Sequence, residues 1–200
     1  MLPQRARDLI ELGCHHEAQH QELLLTDILH AFAQSPLEPA LWTAPVSSPG
    51  PRAIAPEMHW IEGPDGIVGI GHDRPNFAFD CEGPHHKVYL HPHAVADRLV
   101  NNGEWQAFID DDGYRCADHW LSDGWAWIRA EAIAAPLYWH DDTAFGLTGR
   151  QVRDPAAAVR HVSFYEADAY ARWAGARLPT EFEWEASAPL LRDAFGEVWQ

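Results

Sequence analysis

The chain has 200 residues, with 30 Asp and Glu against 14 Lys and Arg and a formal net charge of −16 when histidine is neutral. A chain this acidic repels phosphate backbones, which argues against a nucleic-acid partner. Hydrophobic residues make up 46% of the chain and include 10 Trp, enough for a substantial core. No apolar run reaches the roughly 18 residues of a membrane span, and the N-terminus lacks the apolar centre of a secretory signal.

Three cysteines, at widely spaced positions, fit a reducing compartment better than a disulfide framework. We therefore expect a cytoplasmic protein with no membrane partner. Cys14 is predicted to be a small buried packing residue rather than a metal ligand.

The first predicted element is a long helix over residues 5–32, ended by Ser35 and Pro36. Its His16 and His20 are at i and i+4, so both imidazoles point from one face. Two converging imidazoles begin a metal site, because histidine is the commonest ligand for iron, zinc and copper. His15 points ~100° away and is not predicted to be a ligand. The helix supplies no obvious third ligand, and a lone helix must pack on helices supplied elsewhere.

A Pro- and Ser-rich stretch over residues 36–57 is predicted to be a linker. Beyond it, MHWIEG, GIVGIG and HKVYLHPHAVAD are predicted strands, the last with His91 and His93 on one face. Residues 136–160 are predicted to be mostly loop. No internal repeat is apparent.

Four short helices are predicted in residues 58–200. The first begins near Asn101 or Asn102 and the second lies in LSDGWAWIRAEAI. Ser163 and Thr180 cap the third and fourth, each followed three residues later by a Glu that completes a capping box.

Aromatic side chains in this part are predicted to form the core, among them Tyr165, Tyr170 and Phe182. The glutamates of TEFEWE are predicted to cap their helix and face solvent, and Arg177 to pair with a buried carboxylate.

Two segments resemble one family. HHEAQHQELLLTDILH is similar to the metal-binding helix of the DinB-like bundle in ergothioneine-biosynthesis sulfoxide synthases. VSFYEADAYARWAGARLPTEFEWEAS resembles the core of the formylglycine-generating-enzyme/sulfatase-modifying-factor domain. FAFDCEGPHHKVYL and WLSDGWAW lie between them in the family's order.

The resemblance implies an α+β fold in three parts. Residues 1–35 would be the C-terminal helix of a DinB-like helical bundle and 36–57 the Pro-rich linker. Residues 58–200 would be the N-terminal part of a sulfatase-modifying-factor (C-type-lectin-like) domain with much irregular structure. The chain would then be part of a protein about twice as long, truncated at both ends.

The resemblance also implies non-haem Fe(II)- and O2-dependent C–S bond formation between a thiol, cysteine or γ-glutamylcysteine, and hercynine, giving a sulfoxide. His16 and His20 would be two of three histidine ligands to Fe(II), with the third on an earlier helix. The family pattern HxxxHxE makes Glu22 the candidate that orients a ligand, and Gln19 is a candidate substrate contact. The isolated chain is expected to be inactive if the site needs the missing helix.

Other functions stay open at this level. HEAQH also fits the zinc-protease pattern HExxH, with Glu17 as general base, but the extension found in metzincins is missing. A related ovothiol- or selenoneine-type synthase and a non-catalytic binding module are further alternatives. A formylglycine-generating enzyme is disfavoured, because that family's copper chemistry needs a late cysteine pair and no cysteine here follows Cys116.

Overall fold

The computed structural model of the protein describes residues 2–43, 56–192, 194–196 and 198–199. Most of the predicted linker therefore lies outside the described residues. The fold mixes helix and sheet, as predicted, and the chain divides into two compact units. The described part of the first unit comprises residues 2–43, 71–86 and 145–151, and that of the second comprises the remainder. Among the described helices, none has the length and apolarity needed to cross a membrane.

The first unit is built around one helix, α1, which spans Gln4–Ala33 and confirms the predicted helix. Of its residues only Leu29 is buried, whereas Leu9 and Leu23 are 59% and 51% exposed. Cys14 is exposed as well, so the prediction that it is buried was wrong. Within the part of the chain that the structure describes, the side of α1 that carries Leu9 and Leu23 stays exposed. A DinB-like bundle is not evidenced by this single helix.

The second unit holds most of the strands and the four shorter helices. Its first strands are β1 (Trp60–Glu62), β2 (Gly66–Ile70), β3 (His86–Leu90) and β4 (Ala94–Ala96). The later strands are β5 (Trp139–His140), β6 (Thr143–Gly146) and β7 (Gly149–Val152). The helices are α2 (Asn102–Asp110), α3 (Ser122–Ala130), α4 (Phe164–Trp173) and α5 (Glu181–Ser187). Short 3-10 turns cover Asp80–Glu82, Ala117–His119 and Ala188–Leu190.

The strands form three small sheets, β1-β4, β2-β3 and β5-β6-β7. The first residue of β3, the second half of β6 and all of β7 except Val152 belong to the first unit. β1 pairs antiparallel with β4, with Ile61 opposite Val95. The single strand predicted over HKVYLHPHAVAD is two strands, because Pro92 between them has no N–H for a ladder. His91 and His93 therefore lie in a connection and not on a strand face. Residues 136–160 contain three strands of two to four residues, too short for the sequence pattern to reveal.

The core of the second unit is aromatic, as predicted. Trp105, Phe108 and Ile128 are at most 2% exposed, and Tyr170 stacks on Trp105 with ring centroids 4.9 Å apart. Gly113 allows the chain to pass over Phe108, since a Cβ there would lie 2.1 Å from the ring. The prediction that Phe182 belongs to the core was wrong, because that side chain is 37% exposed.

Three helices of the second unit begin with the same capping motif, a repeat that was not predicted from the sequence. Before α2, α4 and α5 the chain reads RLVNNGE, RHVSFYE and RLPTEFE, each of the form R-x-x-[NST]-x-x-E. In each, the capping side chain accepts from the backbone N–H of the Glu and the Glu carboxylate accepts from the backbone N–H of the cap. Each box satisfies two otherwise orphaned donors at its helix end.

In the first and third copies, which precede α2 and α5, the glutamate of the box pairs with the arginine three residues before the cap. Arg98 donates to both carboxylate oxygens of Glu104, at 3.0 and 2.8 Å. Arg177 does the same to Glu183, at 2.7 and 2.7 Å. This confirms the predicted pairing of Arg177 with a buried carboxylate. It also corrects the prediction that all the glutamates of TEFEWE face solvent, because Glu183 is 6% exposed.

Replacing Arg177 with Gln is expected to lower the free energy of unfolding by about 1 kcal/mol. The buried Glu183 carboxylate loses a two-bond partner, and exposure of the arginine limits the loss. Urea unfolding would measure the change. Arg115→Gln is the matched control, because Arg115 and its partner Asp112 are both exposed, so that variant should match the wild type. Equal effects of the two substitutions would contradict the assigned role.

The hydrogen bonds from Arg177 and then those from Thr180 lower the pKa of Glu183 from 4.5 to about 2. A depressed carboxyl pKa stabilises the fold above about pH 4.5, and this contribution disappears as the pH falls towards 2. Glu183→Gln mimics the protonated state, so the difference in unfolding free energy between wild type and variant should be largest at pH 7 and shrink by pH 3. A difference that stays constant over this range would contradict the assignment.

Candidate functional site

The predicted metal pair lies on the exposed part of α1. His16 and His20 have ring centroids 4.5 Å apart, with the ring planes inclined by 57°. Imidazoles in adjacent positions on one metal, bound at about 2.1 Å, have centroids about 4–5 Å apart. The two rings therefore lie on one face of α1, at a centroid separation that is compatible with a shared metal ion.

A complete site is not present among the described residues. They contain no group of three or more His, Cys, Asp and Glu side chains placed to hold a metal ion. The role of His16 and His20 as metal ligands stays a prediction. Imidazole is a ligand for iron, zinc and copper alike, so the residue type does not select among these metals.

His15, beside the pair in sequence, is engaged elsewhere. Its ring stacks on Phe77 with centroids 4.0 Å apart and planes inclined by 12°. Phe79 meets Phe77 edge to face at 4.9 Å. The rings of His15, Phe77 and Phe79 thus form a cluster that packs residues 71–86 against α1 within the first unit. This contact lies on a face of the helix ~100° from His16. The prediction that His15 has no ligand role agrees with this contact.

The two other predicted site residues are both exposed. Gln19 is ~60° from His16 around the helix axis, near the face of the pair. Glu22 follows His20 by two residues, and side chains two apart do not share a helix face. Its backbone carbonyl accepts a hydrogen bond from Thr26 at 3.2 Å. The roles of Gln19 in substrate contact and Glu22 in ligand orientation stay predictions.

The second unit contains polar groups that the sequence analysis missed. The Tyr114 hydroxyl donates to Glu166 at 2.7 Å, and both residues are buried. Burial, followed by the Glu166 charge, raises the pKa of Tyr114 well above its usual range, so this phenol stays protonated. The sequence indicated Glu166 only as the glutamate of a capping box. It could not indicate its partner, because Tyr114 is 52 residues away and no local pattern links the two.

A second contact joins His93 to Ser187, with Nε2 3.4 Å from Oγ, while the Nδ1 of His93 lies 2.9 Å from the carbonyl oxygen of His91. The arrangement has the residue types of a nucleophile and its base. However, Ser187 is 0% exposed, so no substrate reaches it and the contact is structural.

Comparison with known proteins assigns the domain. The profile of the sulfatase-modifying factor enzyme 1-like domain matches residues 43–195, which is most of the chain. The chain belongs to this family. The predicted sulfatase-modifying-factor domain is thereby confirmed.

Curated relatives fall into two groups. The chain is 38% identical to a hercynine oxygenase of Mycolicibacterium thermoresistibile over 85% of this chain and 37% of the relative. It is also 38% identical to a hercynine oxygenase of Mycobacterium tuberculosis, over 85% of this chain and 40% of the relative. The chain is 31% identical to a formylglycine-generating enzyme of Bos taurus, over 72% of this chain and 42% of the relative. The chain thus spans less than half the length of these relatives.

The extent of the matches separates the two groups. An alignment covering 85% of 200 residues is too long for residues 43–195 and the few residues after them, so it must begin within or before α1. The hercynine oxygenase alignments therefore extend at least into the last turn of α1. An alignment covering 72% of this chain is short enough to fit inside the sulfatase-modifying factor domain.

Replacing His15 with Ala should loosen residues 71–86 from α1. A stacked aromatic pair contributes about 0.5–1.5 kcal/mol, so amide exchange at His72 and Glu82, which are hydrogen bonded within this segment, should quicken by roughly 2–10-fold. His15→Phe retains a ring and should exchange like the wild type. Equal exchange in wild type and His15→Ala would contradict the anchoring role.

Proposed function

We propose that this chain forms part of a non-haem Fe(II)- and O2-dependent enzyme. It would join a thiol, cysteine or γ-glutamylcysteine, to hercynine and give a sulfoxide in ergothioneine biosynthesis. The observation that carries the proposal is the pairing of two features in one chain. The His16 and His20 rings lie on one helix face with centroids 4.5 Å apart, and relatives named hercynine oxygenase align over 85% of this chain.

The reaction balances with O2 as the only oxidant. The thiol loses its hydrogen and the imidazole of hercynine loses one ring hydrogen as the C–S bond forms. One oxygen atom of O2 ends in the sulfoxide and the other leaves as water with the two hydrogens. Four electrons pass from sulfur and carbon to O2, so no further reductant is needed.

The residues of this chain would act by holding and orienting. His16 and His20 would hold Fe(II) through one nitrogen of each neutral imidazole, which leaves the other ring N–H to donate to a carboxylate, carbonyl or water. When bound, Fe(II) would supply open positions for O2 and a thiolate. Gln19 would contact the substrate from the same side of the helix, and Glu22 would orient a ligand.

An anaerobic Fe(II) titration tests the metal pair. The expected result is one Fe(II) per chain, lost in His16→Ala and in His20→Ala, because a single imidazole on a solvent-exposed helix holds iron weakly. His15→Phe is the matched control, since it removes the neighbouring imidazole and keeps a ring against Phe77. Fe(II) binding that is retained in both alanine variants would contradict the proposal.

The identity of the metal and of the product separates the alternatives. A sulfoxide formed from hercynine and a thiol supports the synthase, measured by mass spectrometry with iron present. Zinc binding with peptide cleavage would support the protease pattern HEAQH instead. Formylglycine generation has less support, because the bovine relative with that name is 31% identical over 72% of this chain, against 38% over 85% for the hercynine oxygenases.

A further inference from the structure

One face of α1 carries a row of exposed side chains with His16 at its centre. At ~100° per residue, the side chains of Leu9, Leu12, His20 and Leu23 all lie within ~40° of His16 around the helix axis. The three leucines are 59%, 43% and 51% exposed, and both histidines are exposed as well. Exposed apolar side chains in a continuous row, unlike scattered ones, are typical of a surface that binds another protein. We call these five residues the His16 stripe.

The His16 stripe is not the face with which α1 packs inside its own unit. His15, which stacks on Phe77, lies ~100° from His16 around the axis, and the buried Leu29 lies ~140° away on the same side. Within the described residues, α1 therefore packs through one face and presents the His16 stripe on another.

The spacing of the His16 stripe is the same in both chain directions. Leu12 and Leu9 precede His16 by four and seven residues, and His20 and Leu23 follow it by four and seven. An antiparallel second copy centred on His16 therefore places Leu9 opposite Leu23, and Leu12 opposite His20. Intervals of three and four residues are those with which packed helices interlock. A two-fold interface must be complementary to itself, and this spacing meets that condition.

Charged residues continue the symmetric spacing at both ends. Arg5 lies four residues before Leu9, and Asp27 lies four residues after Leu23. The same antiparallel register places Arg5 of each copy opposite Asp27 of the other, whereas a parallel register would place like charges together. A cation in the first turn is unfavourable for the dipole of its own helix, so a partner outside the helix accounts better for Arg5.

We propose that the His16 stripe binds a second copy of this chain, with the two α1 helices antiparallel. The pairing covers the exposed leucines along ~33 Å of helix, from Arg5 to Asp27 at ~1.5 Å per residue. It also brings the histidines of a second copy to His16 and His20, which have no third metal donor among the described residues. That consequence rests on the proposed function, whereas the pairing itself needs no metal.

Sedimentation equilibrium of the whole chain, with EDTA present and at 0.15 M salt, tests the pairing. We expect a monomer–dimer equilibrium with a Kd on the order of 10 µM. Leu23→Gln should raise this Kd about tenfold or more, because each copy loses a leucine from the interface. Leu25→Gln is the matched control, since Leu25 is 40% exposed but lies ~180° from His16, and it should associate like the wild type.

Charge reversal tests the antiparallel register. Arg5→Asp and Asp27→Arg should each raise the Kd roughly 3–10-fold, because each dimer then has two pairs of like charges. The double variant should return to within about twofold of the wild type, since the pairs are restored with their signs exchanged. Arg5→Asp puts a favourable charge in the first turn of α1, so weaker association would not reflect loss of the helix, and circular dichroism checks this.

Three outcomes would overturn the inference. They are a chain that stays monomeric far above this concentration, equal weakening by Leu23→Gln and Leu25→Gln, and a double charge variant that does not recover. A monomeric chain would leave the His16 stripe to a different partner. Because EDTA removes the metal, loss of Fe(II) binding in the titration proposed above leaves this result intact, and the two proposals fail separately.

Discussion

The second unit depends on a glutamate that folds back over the first turn of its own helix. At α2, α4 and α5 this carboxylate closes a capping box. Glu166 and Glu183 are 3% and 6% exposed, so each needs a compensating donor, because an unpaired buried charge costs several kcal/mol. The donor lies outside the helix: Arg177 is three residues before the cap of α5, whereas Tyr114 is 52 residues before Glu166. Each box thereby fixes the start of its helix, and the Tyr114 bond also ties α4 to a distant part of the second unit.

The first unit is organised differently. α1 starts at Pro3 without a side-chain cap and buries only Leu29. The spacing of His16 and His20 follows from helix periodicity alone, which requires no tertiary support. A tertiary contact next to the pair is made by His15, whose ring stacks on Phe77. If His16 and His20 hold a metal ion as proposed, its remaining ligands would have to approach the exposed face of α1.

Local sequence signals predicted those features that are themselves local. The long helix and the caps at Ser163 and Thr180 depend on spacings of three or four residues, and these predictions are confirmed. The same spacing places the rings of His16 and His20 side by side, while their role as metal ligands stays a prediction. The short strands of 136–160 were missed because two to four residues carry no periodicity. The Tyr114 bond to Glu166 spans 52 residues, and no pattern in one sequence encodes such a partner. The capping repeat is visible in the sequence, but it is recognised as a repeat only when the arginine three residues before the cap is included in the pattern.

The family domain cannot by itself decide the chemistry. Proteins named hercynine oxygenase and formylglycine-generating enzyme both align with it, so the capping boxes and the aromatic core serve more than one reaction. Features that differ between the groups must carry the difference, and the hercynine oxygenase alignments extend at least into the last turn of α1. Within the domain, the middle capping box shows that the buried glutamate accepts more than one kind of donor. Glu166 is satisfied by the Tyr114 hydroxyl, whereas Glu104 and Glu183 are paired with Arg98 and Arg177.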